Sequence, residues 1–122
     1  MSGVPTVSIV LSEHLTRVDL EASLSVAVVS LRKGKINLVV DCRRMTRYDA
    51  DARQYFVDWN RRWATHVNCV AIVLTNPIWH LVVAAMALAS GQRMKAFGSI
   101  SEAAEWISDS ERTAAVRLPE QR

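Results

Sequence analysis

Ile36-Asn37-Leu38-Val39-Val40-Asp41-Cys42 runs directly into Arg43-Arg44-Met45-Thr46-Arg47-Tyr48-Asp49-Ala50-Asp51-Ala52. The first half is apolar and rich in β-branched residues, the pattern of a strand buried on both faces. Asp41 closes it, and the charged stretch that follows reads as a loop opening into a helix. In open α/β sheets the crevice outside the carboxyl ends of the strands is where binding surfaces lie. The working surface is therefore expected over residues 43–51.

Working outward, Thr6-Val7-Ser8-Ile9-Val10-Leu11 alternates as a half-buried strand does, and residues 12–15 read as a loop. Thr16, with Asp19 three residues on, reads as a helix N-cap. Leu20, Leu24, Val28 and Leu31 then recur at helical spacing, with Val18, Ala22, Val26 and Val29 widening the apolar face. Gly34 ends that helix. Beyond the central stretch, Asp49 reads as the next N-cap and Asp51 as a first-turn acid favoured by the helix dipole. Ala52, Tyr55, Phe56, Trp59 and Trp63 form a one-sided stripe, with Arg53, Gln54, Asp58, Arg61 and Arg62 opposite. A second buried strand spans 70–74, and Asn76-Pro77 starts a helix over 78–90 that has almost no polar side. Gly91 stops it, residues 92–97 read as an outer strand, and Ser99 with Glu102 caps a last helix through Trp106-Ile107. The expected organisation is one α/β domain over 1–108, about four mostly parallel strands alternating with four helices, and a polar, fraying tail over 109–122.

Composition narrows the function classes. Half of the 122 residues are hydrophobic, enough for a core, and 15 basic against 12 acidic residues leave a net charge of only +3. Only Arg43, Arg44 and Arg47 cluster, short of the basic stripe with interleaved aromatics that nucleic-acid binding needs. Cys42 falls at the end of one expected strand and Cys69 at the start of another; if those strands run parallel, the thiols lie at opposite edges of the sheet, beyond disulfide reach, which fits a reducing compartment. The opening residues lack the pattern of a signal peptide, and the longest apolar stretch is too short to span a bilayer. A cytoplasmic protein is the expectation.

Chemistry-bearing patterns are scarce. No Gly-rich phosphate loop is present, and His14, His66 and His80 stand apart without metal-ligand spacing, so neither a metal nor a cofactor is expected. Cys42 has no sequence-near histidine to activate it, and capping accounts for Asp49 and Asp51. Catalysis is not expected, and Cys42 or Asp49 would have to carry it. The helix over 78–90 is apolar all round, which points to a second copy, a partner or a hydrophobic ligand.

The chain resembles the STAS domain of anti-sigma-factor antagonists. Leu11-Ser12-Glu13-His14-Leu15-Thr16 is similar to that family's L-S-G-x-L-T, and residues 36–52 to its V-L-D-L-x-x-V-x-x-I-D-S-S-G segment. Val70-Ala71-Ile72-Val73, Trp79, Met94-Lys95-Ala96-Phe97 and Ser101-Glu102-Ala103-Ala104-Glu105-Trp106-Ile107 resemble the STAS/SEC14-like branch. The resemblance covers about residues 7–108. It implies a non-enzymatic domain that binds a protein partner, a regulatory kinase or signalling protein among the candidates. It also places Asp49, Ala50, Asp51 and Ala52 on D-S-S-G, so Asp51 stands where the family's phospho-acceptor serine would be. Only one strand precedes the first helix, where the family has a hairpin, so a sheet edge is left open.

Two binding modes follow. In the first, a protein docks on Arg43, Arg44, Arg47, Tyr48, Asp49 and Asp51, with the arginines supplying charge complementarity and Tyr48 an anchor. Self-association would then use the apolar helix around Trp79 and Met86. In the second, an apolar small molecule or lipid sits between the helices bearing Trp59, Trp63 and Trp79.

Overall fold

A computed structural model describes residues 3–120, with the side chains of 3–111. Its elements alternate strictly: β1 (Thr6–Leu15), α1 (Arg17–Leu31), β2 (Ile36–Tyr48), α2 (Ala50–Arg62), β3 (Val67–Val73), α3 (Pro77–Ser90), β4 (Met94–Phe97) and α4 (Ile100–Glu120). The four strands lie in the order β1-β2-β3-β4, every neighbouring pair parallel. This is the α/β alternation that the sequence predicts.

Strand order fixes the layers. Each crossover moves one strand further in the same direction, and right-handed crossovers in one direction place their helices on one face. Accordingly Leu20, Leu24 and Leu31 of α1, Ala52, Phe56 and Trp59 of α2, and Val83 of α3 share one core with Leu38, Val40, Val70 and Ile72 of the sheet. The opposite face of β2 and β3 presents Val39, Cys69, Ala71 and Val73 to Ala103 and Ile107 of α4. β2 and β3 are thus covered on both sides, which explains their near-continuous apolar sequence. β1 is an edge strand covered on one side: Ile9 and Leu11 are buried, whereas Val10 between them is 58% exposed. Each leucine wholly removed from water contributes roughly 1.5–3 kcal/mol.

The local signals for the helices hold. Thr16 accepts from the Asp19 amide, Asn76 from the Ile78 amide, and Gly91 ends α3 in the left-handed conformation at φ 72°. Ser99 accepts from the Glu102 amide, while the Glu102 carboxylate reaches back to the Gly98 amide. α4 runs on past Ile107 through most of the segment expected as a fraying tail, and residues 121–122 lie outside the described residues.

Two expectations need correction. Residues 12–15 and 43–48 are not loops but the carboxyl-terminal halves of β1 and β2, paired with each other. β3 ends at Val73, opposite Asp41, so beyond that point β1 and β2 continue as a two-stranded parallel ribbon. Two register shifts put one extra residue of β2 against β1, first between Asp41 and Arg44, then between Met45 and Arg47. Such bulges raise the local twist. They also stretch the inward spacing of β2 from two residues to three, so that Cys42, Met45 and Tyr48 all face the α1–α3 side.

Candidate functional site

The ribbon sets the site. Arg43, Arg44 and Arg47 are exposed on it, and the chain then turns into α2, where the amide of Asp49 donates to Leu15 O at 3.0 Å. Glu13, at the second register shift, holds φ +57°. A non-glycine residue in that region costs on the order of 1 kcal/mol, which surrounding contacts must hold in place. The adjacent pairs His14–Arg47 and Leu15–Tyr48 are where the structure closes over it.

Asp49 occupies the N-cap position of α2 but does not cap it with its side chain. Its Oδ1 lies 2.6 Å from Nε2 of His14, joining the end of β1 to the start of α2. Nδ1 of the same imidazole lies 3.4 Å from Nη2 of Arg47. When Nε2 carries the proton it donates to Asp49 and leaves Nδ1 to accept from the guanidinium. His14 therefore does not stand apart as its spacing predicts.

The arginines differ in freedom. Arg43 folds back onto Asp41, with Nε at 2.9 Å from Oδ1, Nη2 at 2.8 Å from Oδ2 and the backbone amide at 3.1 Å from Oδ1. That side-chain hydrogen bond, partly opposed by desolvation, holds the Asp41 carboxyl below its ordinary 3.8. Arg44 and Arg47 stay exposed, Arg47 with its guanidinium against the His14 ring. Asp51 is exposed in the first turn of α2, where the helix dipole favours an anion.

Tyr48 is not an outward anchor. Half-buried, it meets Trp79 of α3 edge-on, with ring centroids 5.6 Å apart and planes at 65°, and the Arg53 guanidinium lies 6.0 Å from its ring. Beneath this aromatic pair lies a cavity of about 60 Å³ between the sheet, α2 and α3. Leu11, Leu15, Cys42, Met45, Phe56, Val83 and Met86 line it, and Arg53 is the one charged side chain in its wall. Of the residues assigned to an apolar ligand site, Trp79 and Met86 are in that wall. Trp59 and Trp63 are not: they lie 6.4 Å apart, with Trp63 against His66 at 5.6 Å. Trp59 lies in the second half of α2 and Trp63 is its C-cap, whereas the cavity touches its first half.

Cys42 is buried in the same wall, and desolvation, reinforced by the nearby Asp41 charge, pushes its thiol up to about 12. Burial likewise pushes Cys69 up to about 11. Neither thiol supplies an appreciable thiolate near neutral pH. Cys69 sits at the far end of the sheet, bonded at 3.3 Å to Oδ1 of the buried Asn37. Among the described residues no three His, Cys, Asp or Glu side chains gather as metal ligands, and no helix is long and apolar enough to cross a membrane.

Comparison with known proteins comes to the same architecture. The model of the family described as SpoIIAA-like matches residues 6–108. A crystal structure of an uncharacterised protein with a SpoIIAA-like fold from Shewanella loihica PV-4 superposes with a TM-score of 0.68. It shares 15% identity and covers 81% of each chain. No curated protein matches this chain.

Proposed function

The chain belongs to the SpoIIAA-like family, and from that membership we propose that it is a non-catalytic regulatory module that binds a protein partner through the β1–β2 ribbon and the start of α2. The observation that carries this reading is the ribbon itself. It runs past the end of β3, is turned by two bulges and a left-handed Glu13, and holds Arg44 and Arg47 exposed, with Asp51 exposed in the first turn of the helix that follows. The bulges turn Cys42, Met45 and Tyr48 inward and leave the arginines between them on the outer surface, where a partner can reach them. Asp51 supplies a fixed negative charge where the family resemblance places a phospho-acceptor serine. An aspartate carries less charge than a phosphoserine, so this surface is held in one state rather than switched. The guanidiniums of Arg44 and Arg47 suit an acidic partner surface.

The test is capture of partners from native cytosol on the wild-type chain and on Arg44→Glu/Arg47→Glu. A protein retained by the first and lost by the second, with both chains equally folded, supports the reading. Retention unchanged by the double reversal refutes it. Tyr48→Ala is a poorer probe, because it removes the Trp79 contact and enlarges the cavity.

The cavity favours a second reading, binding of a small apolar group. At about 60 Å³ it is smaller than the ~150 Å³ apolar cavity known to take up benzene. A larger ligand therefore requires the walls of the cavity to move apart. Saturable change of tryptophan emission with an added aromatic hydrocarbon, abolished by the space-filling Cys42→Leu, distinguishes this reading from protein docking.

A further inference from the structure

We propose that the outward faces of α2 and α3 form a two-fold contact with a second copy of this chain. α3 carries no Asp, Glu, Lys or Arg along its 14 residues. Its outward row is Ile78, Leu81, Ala85 and Leu88, spaced three, four and three residues apart, the seam of a helix pair. Ile78, Leu81 and Leu88 are 67, 72 and 86% exposed, an apolar strip left uncovered among the described residues. Trp79 and Met86, the residues singled out from sequence for self-association, turn inward to the cavity instead.

The row fits its own reverse. A two-fold axis perpendicular to α3 sets Ile78 against Leu88 and Leu81 against Ala85 of the second copy. Large residues then meet large ones at the ends, and large meets small at the centre, as interdigitating seams require. A helix of this length, about 21 Å, covers less than the roughly 800 Å² per partner of a stable interface, so α2 must take part. Arg61 of α2 donates to the Ala89 carbonyl of α3 at 2.8 Å, which fixes the two helices side by side and in register. α2 runs from an acidic first turn with Asp51 to a basic last turn with Arg61 and Arg62. The same axis reverses α2 and brings the acidic end of one copy to the basic end of the other. Apolar pattern and charge order thus call for one occupant, this chain itself.

Sedimentation velocity over a concentration series tests it. The wild type is expected to pass from monomer to dimer, and Leu88→Asp to raise the dissociation constant at least about thirtyfold, because the two-fold axis places a buried carboxylate against Ile78 at both ends of the seam. Leu88 is mostly exposed within one chain, so the fold tolerates that change. Asp51→Lys and Arg62→Glu, which leaves the Arg61–Ala89 tie in place, are each expected to weaken the dimer, and the two together to restore it. A chain that stays monomeric at about 1 mM, or a dimer that Leu88→Asp leaves intact, overturns the proposal. Leu88→Asp bears on this contact alone and Arg44→Glu/Arg47→Glu on the partner surface, so the two can fail separately.

Discussion

The His14–Asp49 contact is the point at which the ribbon is tied to α2, and a double-mutant cycle measures it. Both side chains are partly exposed, 39% and 44%, so solvent screens the pair despite its 2.6 Å separation. Exposed pairs couple by about 0.2–1 kcal/mol, and a value near 0.5 kcal/mol is expected. His14→Ala and Asp49→Ala should each lose about that much, and the double variant little more than either alone. Urea titration followed by tryptophan emission resolves it: at a slope of about 1.5 kcal/mol/M, 0.5 kcal/mol moves the midpoint by about 0.3 M. The competing assignment, Asp49 as an N-cap, predicts another pattern. Asp49→Ala would then cost about 1 kcal/mol whatever stands at position 14, and Asp49→Ser would be harmless because serine caps equally well. Zero coupling with full stability in Asp49→Ser refutes the tie.

Three further outcomes follow from the same geometry. The buried thiols, pushed up to about 12 and about 11, should resist a thiol reagent at neutral pH in the native chain and react only on unfolding. Rapid native labelling of Cys42 would reopen a nucleophilic role. Asp41 is held below its ordinary 3.8 by Arg43, so its stabilising contribution is complete above that value and is lost as the pH falls through the lowered folded value. Asp41→Asn should therefore be less stable than wild type at pH 7, with the gap closing in strong acid; an equal gap at both ends contradicts the clip. Leu24→Ala, at one of the most enclosed sites beneath α1, should cost about 2–5 kcal/mol in a urea titration. A loss below 1 kcal/mol would show that this core packs loosely.

The sequence revealed the alternation of elements because each helix boundary carries its own chemistry. Thr16, Asn76-Pro77, Gly91 and Ser99 act within a few residues of themselves, and β2 and β3 announce double-sided burial by composition. The ribbon was illegible for a physical reason. Its residues pair with one strand only, stay polar, and through the bulges present Cys42, Met45 and Tyr48 at intervals of three where a strand normally shows two. Nothing in Ser12-Glu13-His14 marks Glu13 for a left-handed backbone. The His14–Asp49 contact joins residues 35 apart and depends on the register of β1 against β2, which a single sequence does not contain. The cavity likewise depends on side-chain shapes. Helical periodicity put Trp59 and Trp63 on the inner face of α2 correctly, yet said nothing about which turn the cavity touches. The arginine cluster was found at once, but Arg43 is spent on Asp41.

The central claim is that the ribbon and the start of α2 form the docking surface. Hydrogen exchange on the chain with and without a captured partner tests it most directly. Slowed exchange is expected in 12–15 and 43–52, with α4 and the far ends of the strands unchanged. Protection confined to α3, α4 or the outer face of β1, with 43–52 unaffected, would contradict it.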